Sequence, residues 1–183
     1  NGGGLTYNLG AHVIDQAVQL FGMPEAVFAD IATLRTGGKV DDYFIIHLMK
    51  PARMPEVKIT LKASYLMCEN EPRFVLHGTE GSYVKYGLDP QEADLTKGML
   101  PDTPHWGEED ESQWGILHTE TDGNVVRKPY PTLPGNYAAF YENIYQHIRN
   151  GAVLQSDACG VLGVIRLIEA AWESSRTGNV IKL

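Results

Sequence analysis

The spacing of hydrophobic and polar positions changes twice along the chain. Over residues 5–21 the apolar side chains recur at helical spacing. Leu9, Val13, Ala17, Leu20 and Phe21, flanked by Tyr7, Ala11, Ile14 and Val18, cover a broad arc, and a helix is predicted there. After Pro24 the period falls towards two, and strands are predicted over 26–34, 43–49 and 57–66. In the last of these Val57, Ile59, Leu61, Ala63 and Tyr65 alternate with Lys58, Thr60, Lys62 and Ser64. One buried face and one wet face is the habit of an antiparallel strand. Segments 73–78 and 81–86, joined at Gly78-Thr79-Glu80-Gly81, read as a hairpin. Asp89 followed by Pro90 opens a short helix within 88–97, and 98–112 is a loop rich in proline, glycine and acid. Two further strands are predicted over 114–119 and 124–128.

The helical period then returns. Asn136 is placed to cap a helix that ends at Asn150-Gly151, with Tyr137, Phe140, Tyr141, Ile144 and Ile148 as its core-facing stripe. Ser156-Asp157 starts a last helix, apolar over much of its circumference, running to about Thr177 with Gly178 as its stop. Val180-Ile181 adds a short terminal strand. Segregated strands and helices without an internal repeat predict an α+β fold: a large, mostly antiparallel open sheet with helices packed on one face. At 183 residues, this is the size of one domain. The sheet's second face is expected to need a partner to cover it.

Composition narrows the function. The apolar fraction of 43% suffices for a core without staples. With 23 acidic against 15 basic residues the net charge is −8, and no Lys/Arg cluster exists to grip a phosphate backbone. Nucleic acid is therefore excluded as an expected partner. The acidic run Glu108-Glu109-Asp110-Glu111 reads as a solvated loop. Cys68 and Cys159 lack metal or redox spacing and read as small buried thiols in a reducing compartment. No metal site is predicted. With no membrane-length apolar stretch and no basic-then-apolar leader, the expectation is a cytoplasmic, soluble protein. No strand leads through G-x-G-x-x-G into a helix, so the dinucleotide fingerprint is missing.

The candidate chemistry lies on the first helix. Asn8, His12, Asp15 and Gln19 stack in one narrow stripe, each three or four residues from the next, with Gln16 beside it. The stripe carries no Lys, Arg or Glu, and short hydrogen-bonding groups with an imidazole suit a partly buried cleft. Two readings stand. In one, His12 is a structural histidine supported by Asp15. In the other, His12 exchanges a proton with a substrate hydroxyl and Asn8 orients that hydroxyl or its neighbour. Trp106, in His105-Trp106-Gly107, either stacks on a sugar or is a loop tryptophan pinned within the protein. His47, His77, His118 and His147 are read as structural.

The segment Gly2-Gly3-Gly4-Leu5-Thr6-Tyr7-Asn8-Leu9-Gly10-Ala11-His12-Val13-Ile14-Asp15-Gln16 resembles the opening of the second domain in one enzyme family. That family contains glucose–fructose oxidoreductase, inositol 2-dehydrogenase and the rhizopine-catabolism oxidoreductases. The likeness continues through His77-Gly78-Thr79-Glu80-Gly81-Ser82, Asp89-Pro90-Gln91-Glu92, Gly135-Asn136-Tyr137 with Phe140-Tyr141, and Ala170-Ala171-Trp172-Glu173-Ser174-Ser175. The resemblance implies that residues 1–183 are the substrate-binding and oligomerisation domain of a longer protein. It also implies a preceding Rossmann domain that binds NAD or NADP and supplies a lysine from a Glu-Lys-Pro motif. The implied reaction is oxidation of a CH–OH group of a sugar, inositol or related polyol. His12 falls on the family's catalytic histidine, and Asn8 where many members carry aspartate. An amide orients a hydroxyl but cannot take its proton, so the proton chemistry shifts to His12 and the lysine. The fragment alone is expected to be inactive, and the whole protein to be a homodimer or homotetramer through the open sheet face. The alternative within the same family is a non-enzymatic relative that senses a sugar or dinucleotide.

Overall fold

Alternation along three strands sets the architecture. In the computed structural model, which describes residues 2–183, these are β1 (Pro24–Ala32), β2 (Tyr43–Pro51) and β3 (Ile59–Ser64). They pair antiparallel, with Val27 opposite Leu48, Ala29 opposite Ile46, and Ile31 opposite Phe44. The register continues into β3, where Phe44 faces Ala63 and Leu48 faces Ile59. Because side chains alternate sides, this register puts every one of those apolar groups on one face. The helices α1 (Ala11–Phe21) and α4 (Ala158–Thr177) cover that face with Ile14, Ala17, Val164, Leu167, Ile168 and Ala171, closing the core. Each fully buried aliphatic side chain there contributes about 1.5–3 kcal/mol.

The short β8 (Ile181–Lys182) pairs with β1 only at Ala26 and Val27, giving the strand order β3-β2-β1-β8. Beyond Val27 the edge of β1 is finished by side chains of α4. The Ala29 N–H donates to Ser174 Oγ (3.0 Å) and the Ile31 N–H to Ser175 Oγ (2.9 Å). Two hydroxyls thus replace a missing strand and blunt an otherwise open edge.

Strand β1 stops at Ala32 although the apolar pattern runs on to Leu34. The cause is Asp42, fully buried, whose carboxylate accepts the Leu34 N–H (2.7 Å), the Arg35 N–H (3.1 Å) and Arg35 Nε (2.9 Å). These bonds turn the backbone out of the ladder. The Leu34 N–H above all, with Arg35 adding to it, holds the Asp42 carboxyl below the ordinary carboxylate range against the opposing effect of burial.

These elements form one compact unit, running up to Cys68 and resuming over Ser156–Leu183; Glu69–Gln155 form another. The second unit holds a four-stranded antiparallel sheet in sequence order: β4 (Phe74–His77), β5 (Gly81–Lys85), β6 (Gly115–Thr121) and β7 (Asn124–Tyr130). Gly115 lacks a side chain because a Cβ there would lie 2.2 Å from the Tyr83 ring. Pro129 is tolerated because β7 is an edge strand. The α+β class and antiparallel pairing match expectation, with the strands grouped as two sheets of four.

The second unit also contains α2 (Gln91–Thr96) and α3 (Ala138–Asn150). The expected core-facing stripe of α3 is not buried: Tyr141 is 71% and Ile148 73% exposed, with Tyr137, Phe140 and Tyr145 also exposed. The helix instead turns a polar side to the chain that follows it. Asn143 Nδ2 donates to Val153 O (2.9 Å) and Asn143 Oδ1 accepts from the Gln155 N–H (2.9 Å). Periodicity reveals an apolar stripe but not what lies against it. Cys68 and Cys159 are free thiols, exposed rather than buried.

Candidate functional site

The helix bearing the candidate groups has no local cap. Its first donors are satisfied from 35 residues away, by Asp41 just before β2. The Leu5 N–H donates to Asp41 O (3.0 Å), while the Thr6 N–H (2.6 Å) and Thr6 Oγ1 (2.7 Å) both donate to Asp41 Oδ2. Residues Thr6–Gly10 then form a π turn before α1 proper begins at Ala11. Single π turns inside helices recur at functional sites, because they displace side chains from the α-helical rows.

Asn8 lies within this π turn and His12 in the first turn of α1, both exposed; Asp15 is half-buried. The α-helical wheel places Asn8, His12, Asp15 and Gln19 in one row. His12, Asp15 and Gln19 keep that spacing within α1, and Asn8 precedes them in the π turn. Among the described residues no hydrogen bond links His12 to Asp15 or to Asn8. The structural reading, a histidine held by Asp15, therefore has no bond behind it. Asn8, His12 and Gln19 lie open rather than partly buried. A cavity of 490 Å³ in the same unit lies elsewhere, lined by Ile31, Glu169, Trp172, Glu173, Ser175 and Arg176. What the first unit presents is an amide and an imidazole, both open to a ligand arriving from outside it.

Trp106 belongs to the second unit and is half-buried. Its indole Nε1 donates to Gln91 Oε1 (2.8 Å), leaving only the ring face for any ligand. Gln91 is fully buried and bridges further: its Nε2 donates to both Asp89 oxygens (3.0 Å each), and its Oε1 also accepts the Tyr137 N–H (2.9 Å). Gly135 is required beside this network, since a Cβ there would fall 1.9 Å from Asp89 Oδ2. Burial, then the charges of Asp89 and Glu92, push the Tyr137 phenol above its ordinary value.

The acidic run is not wholly solvated. Lys85 Nζ donates to Glu109 Oε1 (2.7 Å), Gln113 O (2.8 Å) and Tyr86 O (2.9 Å), and the two side chains are only 9% and 5% exposed. Sequence reasoning missed Asp41, Gln91 and this ion pair because each depends on a long-range partner. Of them only Gln91, inside Asp89-Pro90-Gln91-Glu92, carried a motif that could have drawn notice.

In the run Gly2-Gly3-Gly4, Gly4 (φ +98°) packs against a carboxylate: a Cβ there would lie 1.7 Å from Asp41 Oδ1. An anion would meet a like charge. Among the described residues no cluster of three or more His, Cys, Asp or Glu is placed to hold a metal, and no helix is long and apolar enough to cross a membrane.

Residues 1–183 match the group described as oxidoreductase family, C-terminal alpha/beta domain, which covers the glucose–fructose oxidoreductase, inositol dehydrogenase and rhizopine-catabolism enzymes. The chain belongs to this family. It is 36% identical over 180 residues to scyllo-inositol 2-dehydrogenase (NADP(+)) IolW of Bacillus subtilis, covering 98% of this chain and 49% of that protein. It is 35% identical over 175 residues to the uncharacterized oxidoreductase YdgJ of Escherichia coli, covering 96% of this chain and 49% of that one. A crystal structure of a protein from Bacteroides fragilis is 62% identical with a TM-score of 0.94, covering 99% of this chain and 54% of that chain. The chain thus spans about half the length of the curated relatives it matches. At 17% identity and a TM-score of 0.63, an oxidoreductase from Agrobacterium radiobacter in complex with NAD+, L-tartaric acid and magnesium shares the fold.

Proposed function

We propose that the whole protein oxidises a CH–OH group of an inositol, sugar or related polyol with NAD or NADP. This chain is its substrate-binding and oligomerisation part, cytoplasmic in the cell and inactive alone. The observation that carries the reading is the outward-facing pair of Asn8 and His12 on the helix that opens an oxidoreductase-family domain. The 36% identity to scyllo-inositol 2-dehydrogenase (NADP(+)) favours a polyol. The relatives described by activity are oxidoreductases, which favours the enzyme over a sugar- or dinucleotide-sensing regulator.

Oxidation of an alcohol removes a hydride from carbon and a proton from oxygen. A bound nicotinamide, held by parts of the protein outside this chain, supplies the hydride acceptor. An imidazole nitrogen of His12 takes the hydroxyl proton, and the Asn8 amide, able to donate and accept, holds that hydroxyl or its neighbour in line. Asp15, one turn further along, makes no bond to His12 and has no part in the step. Trp106 contributes at most a ring face to the sugar. The test is reduction of NAD+ and NADP+, supplied separately, by the full-length protein with scyllo-inositol, myo-inositol and common aldoses. Turnover with at least one polyol is expected; no reduction across the panel would overturn the proposal.

The sheet of the first unit has a second face formed by Phe28, Tyr43, Ile45, His47 and Met49, on which the Phe28 and His47 rings stack at 6.3 Å. An apolar face of this kind is expected to be covered by a second copy. Full-length protein is expected to sediment as a dimer or tetramer, and a clean monomer would remove this part of the reading.

A further inference from the structure

We infer that Asp41 is a positioning residue for the Asn8–His12 pair, an inference that rests on the functional reading above. The carboxylate is buried, 3% exposed, and lies at the positive end of the helix it caps. Its Oδ2 accepts two hydrogen bonds from Thr6, the residue two positions before Asn8, and its backbone carbonyl accepts the Leu5 N–H. Gly4 closes over the remaining oxygen at a distance that excludes any side chain. Leu5 and Thr6 are themselves fully buried, so the π turn starts from residues held inside the unit.

Asp41 is fixed in turn from the sheet. Its neighbour Asp42 donates its N–H to Ala32 O (3.0 Å), accepts the Tyr65 N–H at its carbonyl (3.0 Å), and holds Leu34 and Arg35 through its carboxylate. A continuous set of bonds therefore runs from β1 through Asp42 and Asp41 into Leu5 and Thr6. The π turn begins at Thr6, and the direction in which Asn8 leaves it is set by where Thr6 is held. His12, one turn on, inherits the same placement. Asp41 does not touch substrate; it acts through Thr6.

The test uses the full-length protein with Asp41→Ala, and Thr6→Val as a near-isosteric second variant that keeps the backbone bond and removes only the hydroxyl. Amide hydrogen exchange over residues 5–12 is expected to quicken about tenfold or more in Asp41→Ala, and less in Thr6→Val, while β2 and α4 stay protected. With scyllo-inositol and NADP+ as the probe, kcat is expected to fall about ten- to a hundredfold in Asp41→Ala with little change in KM, the mark of misplaced reacting groups. Unchanged exchange, or faster exchange with wild-type kcat, would overturn the role of Asp41. A parallel His12→Ala variant separates the two claims. If it is inactive while both Asp41→Ala and Thr6→Val turn over normally, only the positioning role fails; if it turns over normally, the site itself fails and the positioning role with it.

Discussion

Replacing His12 by alanine in the full-length protein is expected to lower turnover about a hundredfold or more, the scale on which a positioned general acid–base group acts. The expectation rests on three features of the chain. His12 is exposed, so its ring is available to a ligand. It makes no hydrogen bond to Asp15 that would mark it as structural. It stands one turn from an amide that can orient a hydroxyl, on a helix whose start is pinned. Because alanine removes the proton acceptor without disturbing the buried face of α1, the loss should appear in kcat, with KM little changed. Stability should be unaffected, since an exposed side chain without partners contributes little to folding. Turnover within a few-fold of wild type would remove His12 from the chemistry.

The largest effect on stability is expected from Phe44→Ala, a loss of about 3–5 kcal/mol. Phe44 is fully buried near the start of β2, between Ile31 on one neighbouring strand and Ala63 on the other. Its ring also lies against Gly10 in the π turn, where even a methyl group would come to 3.5 Å. Neither small neighbour can fill the space left by the ring, so the cavity should persist rather than collapse. Urea unfolding should show it as a midpoint lowered by roughly 1.5–2.5 M, for a slope near 2 kcal/mol/M. A shift below about 0.5 M would mean that the core relaxes around the site.

The sequence carried much of this architecture, and the reasons differ by element. Alternation in 57–66 predicted a strand with a definite inward face, on which Ile59 and Ala63 are buried; 43–49 is apolar almost throughout, so its strand was legible but not that Phe44, Ile46 and Leu48 face inward. Alternation is a local pattern, since each residue's side follows from its neighbours. The end of β1 was not legible, because it depends on Asp42 taking the Leu34 and Arg35 N–H groups across a turn. The stripe on α3 was legible as a stripe but not as an exposed one, because burial is a property of two surfaces and periodicity describes only one.

The candidate site divides in the same way. The grouping of Asn8 and His12 on one helix follows from a spacing of four residues, and their identity as chemical groups follows from the residue types. The π turn under Asn8 and its cap by Asp41 do not follow from either. The cap residue lies 35 positions away, and no N-cap residue sits where a local helix start would place one. Trp106 was legible as an aromatic loop residue, but the bond of its N–H to Gln91 was not, since no local pattern announces the burial of that glutamine.

The most direct measurement is a crystal structure of the full-length protein with a nicotinamide cofactor and a polyol it oxidises. The hydroxyl on the reacting carbon should lie within about 2.6–3.2 Å of a His12 ring nitrogen, the reach required for proton transfer, with Asn8 bonded to that hydroxyl or the next. A polyol seated beside the nicotinamide with both Asn8 and His12 out of hydrogen-bonding reach would contradict the assignment of chemistry to this helix.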